Sequence, residues 1–316
     1  MSWTDFERPL VIIVGPTAVG KTSMAIELGE LLSGEVVSAD SRYFYRGMNI
    51  GTAKPTVKEM RNVIHHLIDI SEPDETWSIA RFQSEARTAI AAIHQRGNLP
   101  LLVGGTGQYV RALLDEWNLP TQERDDHLRE VLEHEVKKAG RDILYAFLEK
   151  VDPEAAAHID PRNKRRTLRA VEVILRTGRL FSAGRGISES PYTRKMIGLT
   201  CDRMTLYQRI DERINAMIEN GLIEEVEVLL AQGVSPKYSS MSAIGYREIS
   251  QYLNGGISLP DAIVLMKRNT RKFIRRQANW FKLNDPSIKW FDVINLSKYE
   301  IADYIQSDLG WTSRGE

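Results

Sequence analysis

Gly15-Pro16-Thr17-Ala18-Val19-Gly20-Lys21-Thr22 is the stretch whose residue types and spacing most directly imply chemistry. It is the full G-x-x-x-x-G-K-[ST] pattern of a phosphate-binding P-loop. Gly15 and Gly20 allow backbone angles that turn successive N–H groups inward at phosphate oxygens. Lys21 adds a full positive charge, the following helix adds the partial charge of its N-terminus, and the Thr22 hydroxyl can ligate Mg²⁺. The motif identifies a phosphate-bearing ligand and nothing further. Most such loops hold nucleoside triphosphates, so the reading it invites alone is an NTPase or a small-molecule kinase.

Three other groups of residues bear on the question. Asp40 follows Glu35-Val36-Val37-Ser38, and ligands of open α/β sheets sit beyond the carboxyl ends of strands, which brings Asp40 near the loop. The segment from Arg42 to Pro55 mixes aromatics, cations and glycines; it suits base stacking and phosphate contact, or equally a surface loop with one anchored aromatic. Two runs are strongly basic. Arg162 to Arg169 has five cations in eight residues, and Lys267 to Lys282 has seven cations and no acid. Each reads as a nucleic-acid backbone contact or as a solvated helix face, the lack of interleaved acids favouring contact. In the second run Met266, Phe273, Ile274, Trp280 and Phe281 can form a core face, with Arg268, Arg271, Lys272, Arg275 and Arg276 outward. Arg209 and Arg213, four apart on one helical face, can both project at an anion. The neighbouring His65 and His66 point opposite ways on a strand and make a poor metal pair.

These side chains need elements to hold them. Leu10 to Val14 is short, β-branched and uninterrupted, as a parallel strand buried on both faces requires. With the helical spacing of Met24, Leu28 and Leu31 after the loop, the context is strand, glycine turn, helix. Pro100 to Val103 is another buried strand and opens into Gly104-Gly105-Thr106-Gly107. That strand end has glycines where a P-loop kinase often places an acid to hold Mg²⁺ through water, which counts against simple NTP hydrolysis; Asp69 or another acid could fill that role. The expected fold is α/β: a P-loop NTPase-like parallel sheet core flanked by helices, from 1–120 and 191–316. A mostly helical insertion spans 121–190, where the sequence turns highly charged.

Composition bounds the rest. The 316 residues carry 42 Lys and Arg against 42 Asp and Glu, so nucleic-acid binding must come from local patches. Cys201 is the single cysteine, which excludes an internal disulfide and a multi-cysteine zinc site. No leader or spanning segment is legible, so the expectation is a cytoplasmic protein with no membrane partner.

Taken together the motifs resemble the bacterial tRNA dimethylallyltransferase family. The P-loop, Ser38-Ala39-Asp40-Ser41, Tyr45 to Pro55, His65 to Asp69, Gly104 to Gly107, Arg165-Arg166, Ala243 to Glu248 and Arg275-Arg276-Gln277 occur in order along nearly the whole chain. Arg42-Tyr43-Phe44 departs from the family pattern, which more often has a glutamine and smaller apolar residues there. The resemblance implies transfer of a dimethylallyl group from dimethylallyl diphosphate to N6 of the adenosine beside the anticodon (position 37), in a tRNA anticodon stem-loop, by a monomer. It implies that Gly15, Pro16, Thr17, Ala18, Val19, Gly20, Lys21 and Thr22, with Arg213, hold the diphosphate, Mg²⁺ being ligated by Thr22. Lys21, Asp40 and Thr106 would be the catalytic set, Asp40 as the base. It places tRNA on Asp40, Ser41, Arg42, Tyr43, Gly51, Thr52, Ala53, Lys54 and Thr106. Further contacts would fall on Arg165, Arg166, Thr167, Leu168, Arg169, Arg275 and Arg276. Two alternatives stay open on residues alone: a small-molecule kinase, and a prenyltransferase acting on free adenine nucleotides. Neither gives the two basic runs a purpose.

Overall fold

The computed structural model describes residues 8–117, 119, 126–140, 142–185, 190–294 and 296–309. Its strands are β1 (Pro9–Val14), β2 (Gly34–Ser38), β3 (His65–His66), β4 (Leu99–Val103), β5 (Thr193–Thr200) and β6 (Ile288–Asp292). They form one six-stranded sheet of order β3-β2-β4-β1-β5-β6, and every pairing is parallel. All residues of β1, β2 and β4 are buried, which is what their near-continuous apolar sequence requires of central parallel strands. Strand β3 is only two residues long, and the chain leaves it through Leu67 and Asp69, both at positive φ.

Helices α1 (Lys21–Leu32), α2 (Val57–Met60) and α3 (Ile79–Gln95) connect the first four strands. Helices α4 (Gly107–Leu114), α5 (Asp126–Ala139), α6 (Ile143–Val151), α7 (Pro153–Ala157) and α8 (Lys164–Thr177) come between β4 and β5. Beyond β5 lie α9 (Arg203–Glu219), α10 (Leu222–Ala231), α11 (Tyr246–Leu253), α12 (Leu259–Gln277) and α13 (Lys298–Leu309).

The chain divides into two compact units. The first, residues 1–77, 82–110 and 191–316, contains the sheet and a core running from Val11 and Ile13 through Ile210, Tyr246 and Met266 to Ile305. The second, residues 78–81 and 111–190, is helical and has its own core of Leu132, Leu148, Ile159, Leu168, Val171 and Ile174. The boundary expected at residue 121 and the N-terminal residues 1–7 fall outside the described residues. Among the described residues no helix is long and apolar enough to cross a membrane.

Candidate functional site

The P-loop joins β1 to α1, with Gly15 at φ 147° and Gly20 at φ 104°. A Cβ on Gly15 would overlap the carbonyl oxygen of Leu199 at the end of β5, so the neighbouring strand demands glycine as much as the turn does. Ala18 also takes a left-handed φ of 68°, a conformation that costs an alanine energy and is kept here by the surrounding loop. Lys21 opens α1, and its ammonium donates to the Pro16 carbonyl at 2.8 Å, closing the loop around itself. Burial pulls the Lys21 pKa down to about 8; Asp40 opposes the shift and Arg213 adds to it. Lys21, Asp40 and Arg213 therefore share one electrostatic environment, although they lie on α1, after β2 and on α9.

Asp40 stands just past the carboxyl end of β2. Its Oδ1 accepts the Arg42 N–H at 3.0 Å, an Asx turn that fixes the carboxylate at the strand end. Ala39 donates its N–H to Val103 at 2.8 Å, and a Cβ on Gly104 would overlap the Ala39 backbone. The end of β2 and the glycine turn after β4 are thus in direct contact, bringing Asp40 and Thr106 to the same edge of the sheet. Thr106, half-buried, starts α4 through carbonyl bonds to Tyr109 and Val110.

The segment from Arg42 to Pro55 is held by contacts from far along the chain. Glu225 on α10 accepts the backbone N–H groups of Asn49, Ile50 and Gly51 at 2.8 to 3.2 Å, and the Tyr246 hydroxyl at 2.5 Å. Arg213 donates to the Thr52 carbonyl at 3.0 Å, and Tyr43 to the Ala53 carbonyl at 2.9 Å. Burial and the charge of Asp40 push the Tyr43 phenol up to about 12, while Arg213 and a hydrogen bond with Thr22 act the other way. Gln277, the last residue of α12, accepts the Thr17 N–H at 2.9 Å and donates to the Gly105 carbonyl at 3.1 Å. Glu225 carried no signal in the sequence; Tyr246 and Gln277 stood in motifs of the resemblance, but without a role, because each acts on a loop far away in sequence.

Several expectations need correction. The Lys54 side chain is only 3% exposed, and its ammonium donates to Tyr45 O, Asn49 Oδ1 and Asp69 Oδ1, so its three protons are engaged within the protein. Asp69 is accordingly paired with Lys54, which removes it as the spare acid for Mg²⁺. Arg42 clasps a serine turn, donating to Ser239 O at 2.7 Å and Ser242 Oγ at 3.2 Å. Phe44 and Tyr45 are buried; Phe44 packs with Trp77, Phe82 and Tyr109, so of the three aromatics only Tyr43 faces the site. Thr167 and Leu168 are buried on the inner face of α8, as their spacing on a helix with a cationic outer face dictates. Arg165 and Arg166 are exposed beside them, but Arg162 pairs with Asp160 and Arg169 with the buried Glu172, so acids outside the run partly offset it. On α12, Arg275 and Arg276 are exposed; Arg271 instead bonds Asp211 and lies over Tyr207, and Phe273 and Trp280 are more than a third exposed.

Among the described residues there is no cluster of three His, Cys, Asp or Glu side chains that could hold a metal. The Thr22 hydroxyl is an oxygen donor at the loop. A single protein ligand of this kind suits a Mg²⁺ ion whose remaining ligands are water and substrate phosphate oxygens, the usual way this small, reluctantly dehydrated ion is bound.

A parallel sheet with a P-loop after β1, an acid after β2 and basic helices defines a P-loop enzyme acting on a phosphorylated substrate. Comparison with known proteins narrows the class. The family model described as IPP transferase matches residues 43–284 and that described as isopentenyl transferase matches residues 9–72, and the chain belongs to this family. It is 47% identical to a tRNA dimethylallyltransferase of Thermomicrobium roseum over 293 residues, 93% of this chain and 89% of that one. It is 42% identical to the tRNA dimethylallyltransferase of Bacillus subtilis over 310 residues, 96% and 98% of the two chains. The crystal structure of the full-length tRNA isopentenylpyrophosphate transferase from Bacillus halodurans matches with a TM-score of 0.72 at 45% identity, covering 96% of this chain and 97% of that one. A eukaryotic dimethylallyltransferase acting on tRNA matches at 0.81 with 26% identity, covering 98% and 81%. Membership of the family implies a requirement for a divalent cation.

Proposed function

We propose that this enzyme transfers the dimethylallyl group of dimethylallyl diphosphate to N6 of the adenosine beside the anticodon, position 37, in a tRNA anticodon stem-loop. The observation that supports the reading is a P-loop closed by Lys21 on Pro16, with Asp40 just past the end of β2 and Arg213 bound to the Thr52 carbonyl of the loop that follows it, both charges acting on Lys21. Two cations and a nest of N–H groups suit a diphosphate, and a carboxylate beside them suits a proton acceptor.

The chemistry needs both. The carbon–oxygen bond of the prenyl ester breaks as the carbon–N6 bond forms, and its electron pair leaves on pyrophosphate. Lys21, Arg213 and the loop N–H groups stabilise that growing charge more in the transition state than before it. Bound Mg²⁺ held through Thr22 would further neutralise the leaving group. The N6 amine loses a proton, which Asp40 accepts. An adenine amine is a weak nucleophile, so holding it in line with the prenyl carbon contributes more than basicity does. The base must first leave the anticodon stack, at a cost of a few kcal/mol. Thr106 borders the place where it would enter, and the exposed Arg165, Arg166, Arg275 and Arg276 would hold the RNA backbone.

The test is incubation with labelled dimethylallyl diphosphate and an anticodon stem-loop, using the wild type and Asp40→Asn. Asparagine retains the oxygen that accepts the Arg42 N–H, so the turn survives while the base is lost. Transfer is expected to fall by roughly 10²- to 10⁴-fold with stem-loop affinity intact. Label that stays off the RNA with wild-type enzyme, or substantial transfer by Asp40→Asn, would sink the respective part of the proposal.

A further inference from the structure

Gln277 directly follows the exposed Arg275 and Arg276, yet its own side chain turns inward and is 6% exposed. Both amide atoms are used, and on different loops. Oε1 accepts from Thr17 in the P-loop, and Nε2 donates to Gly105, the residue before Thr106. A Cβ on Gly105 would overlap that Nε2, so the turn after β4 is shaped to admit the amide. Three residues further on, the Trp280 ring closes over Gly107 in the same way. The end of α12 is therefore seated on the glycine turn at two points and on the P-loop at a third.

A primary amide suits this position because it donates and accepts on one short, neutral group. A charged side chain buried here would bear a desolvation cost that these two bonds could not offset. The Thr17 N–H, committed to Gln277, is also withdrawn from the set of donors facing the phosphates. Gln277 thus fixes the shape of the P-loop and leaves the direct anion contacts to other groups.

Building on the transferase reading, we propose that Gln277 is a positioning residue: its amide sets the gap between the diphosphate loop and Thr106 and ties both to the helix bearing Arg275 and Arg276. The nucleophile is delivered past Thr106 and the leaving group sits in the P-loop, so this gap governs the approach of N6 to the prenyl carbon. A misplacement of about 1 Å in such an approach costs up to about 10²-fold in rate.

The test compares wild type, Gln277→Met, Gly105→Ala and the double variant. Each is measured for stem-loop affinity, thermal midpoint, kcat, and KM for dimethylallyl diphosphate. Methionine keeps the length of the side chain and removes both bonds. Gln277→Met is expected to hold RNA within about twofold of wild type while kcat falls roughly tenfold or more and KM rises. Gly105→Ala is expected to lower kcat similarly, and the double variant to be no worse than the worse single one, because both break one contact. Wild-type kinetics in Gln277→Met would overturn the proposal. So would losses that multiply in the double variant, or RNA affinity, midpoint and kcat falling together. If Gln277→Met does not fold, Gly105→Ala decides by itself: reduced kcat with intact RNA affinity supports the role, and wild-type kcat overturns it. Absence of transfer by the wild type would instead count against the transferase reading.

Discussion

Glu225→Gln is the most informative single perturbation of the segment that frames the site. The two carboxylate oxygens of Glu225 divide the work: Oε2 accepts from Asn49 and Ile50, and Oε1 from Ile50, Gly51 and the Tyr246 hydroxyl. An amide keeps one acceptor. Its NH₂ fits best in place of Oε1, where it can donate to the Tyr246 oxygen but leaves the Gly51 N–H without a partner. The variant thus loses one bond and turns the three that remain, to Asn49, Ile50 and Tyr246, into neutral ones. With hydrogen bonds to charged groups worth about 1.5–3 kcal/mol and neutral ones about 1, the loss comes to about 3 kcal/mol at the lower figure. At about 2–4 °C per kcal/mol, the thermal midpoint should drop by about 6–12 °C. The kinetic effect follows from the next residues, since the Thr52 carbonyl holds Arg213 and the Ala53 carbonyl holds Tyr43. A small shift of this loop moves a diphosphate ligand, and single-turnover transfer should slow roughly tenfold. Differential scanning calorimetry and rapid-quench transfer assays read the two quantities. An unchanged midpoint with unchanged single-turnover rate would refute the reasoning, because the loop would then stand without its carboxylate.

Three further outcomes are expected. Lys21 titrates at about 8 because burial lowers it, with Asp40 opposing and Arg213 reinforcing; pyrophosphate affinity of the wild type should weaken as pH rises through 8, and Lys21→Met should remove that dependence. The sign for folding is opposite: between about pH 8 and the unfolded value of 10.5 the unfolded chain binds more protons at this site, so its contribution favours folding as pH rises there. Lys54→Met breaks a buried ammonium cluster whose Asp69 partner is half-exposed, so unfolding should cost about 2–4 kcal/mol less while RNA affinity stays unchanged; a loss of RNA affinity in the folded variant would restore Lys54 as an RNA contact. Arg275→Ala and Arg276→Ala should each reduce the slope of log affinity against log salt by about 0.7–0.9 without altering the diphosphate KM, and a slope equal to wild type would remove that residue from the RNA surface.

Charge runs proved the least reliable guide to the site. Lys54, Arg42, Arg169 and Arg271 all read as cations available to RNA, and each is engaged by the protein. The acids and carbonyls that engage Lys54, Arg42 and Arg271 lie 5 to 198 residues away, where a count of charges along the chain cannot find them. Helical spacing was a better guide. It separates the buried Thr167 and Leu168 from the exposed Arg165 and Arg166, and applied within the basic run it would have removed the first pair from the RNA contacts.

The sequence by itself determined the P-loop, the buried apolar strand that leads into it, and the placing of Asp40 at a strand end. Each of these depends on interactions within about a dozen residues: glycine angles, a buried apolar strand, a helix N-terminus. Tertiary structure alone decided the strand order, the clamp of Glu225 on residues 49–51, and the bridge of Gln277 between Thr17 and Gly105. Those contacts join positions up to 260 residues apart. A glutamate or glutamine has the same local signature on any helix, and only the packing of that helix selects the backbone groups it meets.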